Sequence, residues 1–162
     1  MTERLHEVRL IGYPLALYAK GQEHHNELMR EFSLIAISGK MQSMPSVPSR
    51  LVELIERLTA EYGTLSQDVE RERDEAYEAG LKSIDLAYHA PPIVAEAVKE
   101  LGRMLDEADD YCRAGDALLT LATPPDVKLF RDWFFSEFTG QLSGADPTPW
   151  PEYAGRAAEA RT

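Results

Sequence analysis

The chain has 162 residues, 44% hydrophobic and 28% charged, which is enough apolar mass for one packed domain and too much for wholesale disorder. Its 17 Lys and Arg stand against 28 Asp and Glu, a net charge of −11 that repels phosphate backbones and anionic lipid and argues against nucleic acid and membrane as partners. The single cysteine, Cys112, allows no internal disulfide, and acidic residues near the N-terminus, where a secretion signal is basic and apolar, predict a cytoplasmic protein.

His6 to Leu10 alternates polar and apolar residues, with Val8 and Leu10 on one side, and predicts a short strand ended by Gly12 and Pro14. Pro14 suits the first turn of a helix. From there to residue 38 the apolar period turns helical, with Leu17, Leu28, Phe32 and Ile35 on one face. Gly21 sits near the middle of that face, where it costs about 1 kcal/mol relative to Ala; close approach of another helix is the expected return. Gly39 closes this helix, and Met41 to Ser49, with Pro45 and Pro48, reads as a loop. Ser49 then caps a second helix over residues 49–62, with a stripe of Leu51, Leu54, Ile55, Leu58 and Tyr62 and a stop at Gly63.

A third helix over 66–81 carries only Val69, Ala76 and Tyr77 as apolar residues and is expected at the periphery. Ser83 to His89 alternates again, with Ile84, Leu86 and Tyr88 on one side, a second short strand able to pair with the first. Pro91 and Pro92 open a fourth helix over 91–113, whose Val94, Val98, Leu101, Leu105, Ala108 and Cys112 form a seam for antiparallel packing. Asp116 to Ala122 reads as a short helical or turn piece. Thr123-Pro124-Pro125 opens a fifth helix over 124–143, bearing Val127, Phe130, Phe134, Phe138 and Leu142 and ended by Gly144. The alternating prolines of Asp146 to Pro151 predict an extended arm, followed by a small-residue tail from Ala154 to Thr162. The arm is expected to dock through Trp150 beside Trp133. These elements make a mostly α fold, an antiparallel bundle of about five helices with a minor two-stranded β element. Residues 1–145 form its single domain, and 146–162 pack on it as arm and tail.

The cluster Glu23-His24-His25-Asn26-Glu27 has the most chemical potential. Bundles hold metals with inward imidazoles and carboxylates, but adjacent histidines diverge by about 100° on a helix and chelate one ion poorly. No Glu-x-x-His or His-Glu-x-x-His pattern occurs; His6 and His89 would complete a three-histidine site with His24 or His25 only if the strands brought them together. His24 with Asn26 and Glu27 has some likeness to a phosphoacceptor box, although no Gly-rich ATP-binding segment follows. Both histidines flank Gly21 at the border of the apolar stripe, where imidazoles commonly serve as hydrogen-bonding core-edge residues, and that structural role is the expectation. Asp106-Glu107-Ala108-Asp109-Asp110 lacks the spacing and glycine of a calcium loop and reads as a solvated face. Cys112 continues an apolar seam, Ser33 and Ser38 have no activating motif, and no cofactor loop is present. Phe130, Phe134 and Phe138 are core by spacing, which leaves Trp133 and Phe135 to cover the arm or meet a partner, with core contact the expected fate of each.

The stretch from Glu23 to Phe32, and the runs Leu118 to Pro125 and Gly144 to Trp150, resemble segments of small actinobacterial proteins encoded beside ATP-binding anti-sigma-type serine kinases, phosphatases and their antagonist domains. The resemblance spans about Val8 to Trp150 and carries no catalytic motif. It implies a non-enzymatic regulatory accessory in bacterial partner-switching signalling, working through a protein partner and leaving a homodimer open. Acidic residues of the third and fourth helices (Glu70, Glu72, Asp74, Glu75 and Glu78; Asp106, Glu107, Asp109 and Asp110), with Trp133 and Trp150, are the candidate contact residues. The alternative is a bundle with a histidine-centred metal or phosphoacceptor site.

Overall fold

A computed structural model describes residues 5–38, 47–114 and 123–160. The order is β1 (His6–Pro14), α1 (Leu15–Ser38), α2 (Val47–Tyr62), a 3-10 turn (Gly63–Ser66), α3 (Gln67–Glu78), β2 (Ser83–Ala90), α4 (Val94–Ala114), α5 (Pro125–Leu142) and α6 (Trp150–Ala160). The mostly helical expectation with a minor two-stranded element is met. No helix among the described residues is long and apolar enough to cross a membrane. Gly39, the loop up to residue 46 and the piece over 116–122 lie outside the described residues, as do the side chains of Ile35, Ser38 and Cys112.

The two strands pair antiparallel, with Val8 opposite Tyr88 and Leu10 opposite Leu86. Gly12 does not end β1. It adopts φ +71°, the ladder shifts register between Leu10 and Tyr13, and pairing resumes at Tyr13–Ile84 and Pro14–Ser83. This is a bulge, in which a left-handed glycine absorbs the extra residue. The strand therefore runs through Pro14, whose missing N–H falls at the strand end, and α1 starts one residue later, with Leu15 N–H donating to Lys82 O at 3.1 Å. A Cβ at Gly12 would also lie 3.0 Å from Pro151 Cδ. Gly12→Ala is thus expected to cost about 1–2 kcal/mol; an unchanged urea midpoint would show that the bulge relaxes.

Four helices close a ring: α1 packs on α2, α2 on α4, α4 on α5, and α5 back on α1. One apolar cluster fills the ring away from the sheet, built on Leu28, Phe32, Leu51, Leu105 and Ala108. A second joins the ring to the inner sheet face through Val8, Leu10, Tyr13, Leu86, Tyr88, Phe130, Trp133 and Phe138. Gly21 has the close approach expected of it, since a Cβ there would sit 3.2 Å from Val127 Cγ1 of α5. Pro48 and Ser49, expected in the loop and as a cap, already belong to α2. α3 is peripheral, burying Val69 and Ala76 and leaving Tyr77 exposed.

The segment after Gly144 departs from the extended arm and tail. Only its first residues are irregular; residues 150–160 form α6. Pro151 is compatible with a first helical turn because an N–H there has no partner in any case, and the following Ala-rich run has high helix propensity. The first turn closes with Tyr153 N–H donating to Pro149 O at 3.0 Å. Trp150 packs edge-on against Trp133, beside which it was expected, with ring centroids 5.5 Å apart.

Trp133 is completely buried and donates from Nε1 to Thr148 O at 2.8 Å. Beside it the buried Glu137 accepts from Thr148 N–H (2.7 Å) and Gln141 Nε2 (3.0 Å). Gln141 in turn clamps the open edge of β1, its Oε1 accepting from Arg9 N–H and its Nε2 donating to Arg9 O, both at 2.8 Å. A side-chain amide here does the work of a third strand, satisfying an edge that would otherwise be unpaired.

Candidate functional site

Between the two apolar clusters the helix ring opens into a cleft of about 780 Å³. Its walls come from the sheet, α1, α2 with the following turn, α3, α4 and α5, and most lining side chains are apolar: Leu28, Ile55, Val98, Leu101, Leu105 and Phe134 among them. Small and β-branched residues (Gly21, Ala97, Val98, Val127) are among those that line it. Its volume lies in the range of about 300–1,000 Å³ typical of small-molecule sites. Besides single polar residues such as Gln22, Thr59 and Gln67, two polar groupings interrupt the apolar wall.

The first is built on Arg73. Tyr13 and Tyr88 reach it from the sheet and accept hydrogen bonds from its guanidinium, and Tyr18 of α1 lies under that guanidinium at 4.0 Å. Burial, then neighbouring Tyr88, pushes the Tyr13 hydroxyl well above the ordinary phenol range against the pull of Arg73. Burial pushes Tyr88 up to about 12, Arg73 again opposing. Both tyrosines therefore keep their protons at any physiological pH. The Arg73 side chain is only 14% exposed and pairs through Nε with Asp74 Oδ1 at 3.2 Å.

The second grouping joins α4, α5 and α1. Thr123 donates to Asp109 Oδ1 from its hydroxyl at 2.6 Å and from its backbone N–H at 3.0 Å. Arg131 donates to Asp109 Oδ2 (3.2 Å), Asp106 Oδ1 (2.9 Å) and Thr123 Oγ1 (3.3 Å). His24 Nε2 lies 3.3 Å from the same hydroxyl oxygen. The hydroxyl proton is committed to Asp109, so His24 must donate, which selects its Nε2–H tautomer. Asp109 is 2% exposed, a correction to the solvated-face reading of Asp106 to Asp110. Burial raises its pKa, but the Thr123 hydrogen bonds and the Arg131 charge outweigh it and hold the carboxyl below its ordinary range.

His24 and His25 both line the cleft and are partly buried. Burial lowers both pKa values; Asp109 and Glu27 pull His24 back up, while His24 lowers His25 further. A base whose pKa is lower in the folded chain binds fewer protons there than in the unfolded chain. Its contribution to stability is therefore present above about 6.5 and is lost as pH falls below that value. We expect the urea midpoint to decline on acidification from pH 7 to 5, and less so in His25→Gln. Equal slopes would assign the decline elsewhere.

The other candidates are dispersed. His6 and His89 stand on the ribbon, exposed; His89 also lines the cleft, and its Nε2 lies 3.6 Å from Glu7 Oε2. Among the described residues no group of three or more His, Cys, Asp or Glu is placed to hold a metal ion. Glu70, Asp74, Glu78, Asp106 and Asp110 are exposed; Trp133 is not, and so is unable to meet a partner, while Trp150 is partly covered. α3 packs on β2, the 3-10 turn and α1, whereas α4 packs on α2 and α5, so the two acidic rows do not lie on helices that pack closely together. The row on α3 instead meets α1: Glu23 and Glu27 share a shallow groove with Asp74 and Glu78. Sequence reasoning passed over Arg73, Tyr13, Thr123, Arg131 and Glu137. Of these, only Arg73 carried a signal, as one of two bases, with Arg71, amid five acidic residues. The chain matches no family model, no curated protein and no solved structure.

Proposed function

We propose that the protein is a non-enzymatic regulatory module that binds a small apolar molecule in the helix-ring cleft and acts through protein contact, as a cytoplasmic accessory in bacterial partner-switching signalling. The cleft is the observation that carries the reading: a pocket of about 780 Å³ with a mainly apolar wall, into which the Arg73 and Arg131 groupings bring polar groups. The resemblance to accessory proteins supplies the regulatory context, and the acidic groove between α1 and α3 supports docking of a basic protein surface. N-phenyl-1-naphthylamine, an uncharged probe that fluoresces in apolar sites, tests the cleft. Its emission should rise with the wild-type protein and stay low with Val98→Phe, which fills the cleft while helicity is retained. No rise with the wild type would remove the ligand-binding reading. Mixing with a purified anti-sigma-type kinase, phosphatase or antagonist tests the partner, with association that weakens steeply as salt rises. No association at low salt would remove the signalling reading.

A second reading, a histidine-centred phosphoacceptor or metal module, draws on His24 and His25 lining the same cleft. Acid-labile phosphate on either residue, or zinc, iron or nickel retained through dialysis and lost in the His24→Ala, His25→Ala double variant, would favour it.

A further inference from the structure

The cleft has chemically distinct ends, and they constrain the ligand. Resting on the reading of the cleft as a ligand site, we infer that it takes an uncharged, mostly apolar molecule carrying one carbonyl-type oxygen, docked against Tyr13, Tyr88 and Arg73. Three observations lead there. At the Arg73 end the guanidinium, which cannot lose its charge, donates to the phenol oxygens of Tyr13 and Tyr88, so each hydroxyl has its proton left to offer. An oxygen with lone pairs is what those protons can meet.

The charge balance then selects against an anion. Arg73 is already offset by Asp74 at 3.2 Å, and Glu70, which also lines the cleft, adds a second carboxylate. The Arg131 end is more fully neutralised, by Asp106 and Asp109 together. A ligand carboxylate would bring a further negative charge beside these, into a chain whose net charge is −11. A neutral carbonyl takes the same hydrogen bonds without that repulsion. The rest of the molecule faces Leu28, Val98, Leu101 and Leu105, which offer no polar partner and favour a hydrocarbon or aromatic body.

Decane, methyl decanoate and decanoate share a chain length and separate these terms when each displaces N-phenyl-1-naphthylamine. Methyl decanoate, though less hydrophobic than decane, should displace the probe at a concentration about tenfold lower than either of the others. In Tyr13→Phe with Tyr88→Phe that preference should shrink to about threefold or less while decane displacement is unchanged, which also reports that the cleft remains intact. If the double variant fails to fold, Tyr88→Phe alone should halve the logarithm of the preference. Probe binding with decanoate tightest, or with all three equal, would overturn this inference and leave the cleft reading standing. A preference for the ester that both variants retain would overturn it as well, since the oxygen would then be met elsewhere. Absence of any probe binding to the wild type would overturn the cleft reading and this inference together.

Discussion

Replacing Trp133 by alanine is expected to remove about 3–5 kcal/mol of folding stability, the cost of emptying a fully buried aromatic site, and to lower Tm by roughly 10 °C for a domain of this length. Trp133 is the junction of three parts of the molecule. Its ring contacts Tyr13 of the ribbon, Phe130 of its own helix and Trp150 of α6 at centroid distances of 6.3, 6.0 and 5.5 Å. Its Nε1 holds Thr148, and Thr148 N–H in turn satisfies the buried Glu137. The cavity left by alanine therefore loosens the seat of α6 as well as the core. Trp133→Phe should cost less than the alanine variant, because a ring still fills most of the site and the hydrogen bond to Thr148 adds only about 1 kcal/mol. A loss below about 1 kcal/mol for the alanine variant would mean that the ribbon, α5 and α6 are not joined through this side chain.

Asp109→Ala is expected to cost about 3 kcal/mol, the lower end for breaking a buried ion pair, since Arg131 keeps Asp106 as a second partner. The backbone N–H and hydroxyl of Thr123 lose their acceptor in the same step, which frees the start of α5 from α4. Asp109→Asn, which keeps an acceptor oxygen, should fall between wild type and alanine. The pH dependence has a definite sign. A carboxyl whose pKa is lower in the folded chain contributes stability that is present above its ordinary value of 3.8 and is lost as pH falls through the lower folded value. Wild-type acid unfolding below about pH 4 should accordingly be flatter in Asp109→Ala. Chemical denaturation across that range checks both points, and an unchanged acid limb would assign it to other carboxylates.

The helices that were legible in the sequence are those whose burial follows a local period. The stripe of α2 emerges with Leu51 and Leu54 buried, and the seam of α4 with Val94, Leu105 and Ala108 buried. Both strands appear where alternation placed them, with Val8, Leu10, Leu86 and Tyr88 turned inward. Where the pattern misled, a single punctuating residue was read too simply. Gly12 bulges a strand that it was expected to end, and Pro151 stands in the first turn of a helix that it was expected to prevent. Each residue is compatible with both outcomes, and the choice is made by packing: Gly12 and Pro151 lie against one another.

Composition and periodicity by themselves determined the helical class, the ribbon, most element positions and the apolar faces, because each depends on residues within a few turns of one another. Tertiary structure alone decided the polar chemistry. Asp109 reads as one more acid on a charged helix until Thr123 and Arg131 reach it from 14 and 22 residues away. The Tyr13, Tyr88 and Arg73 trio is assembled from two strands and a helix with no shared motif. A hydrogen bond or ion pair needs its partner within about 3 Å, a condition set by how elements pack. Hydrophobic burial tolerates approximate placement and so leaves its period in the sequence; directional bonds between distant residues leave none.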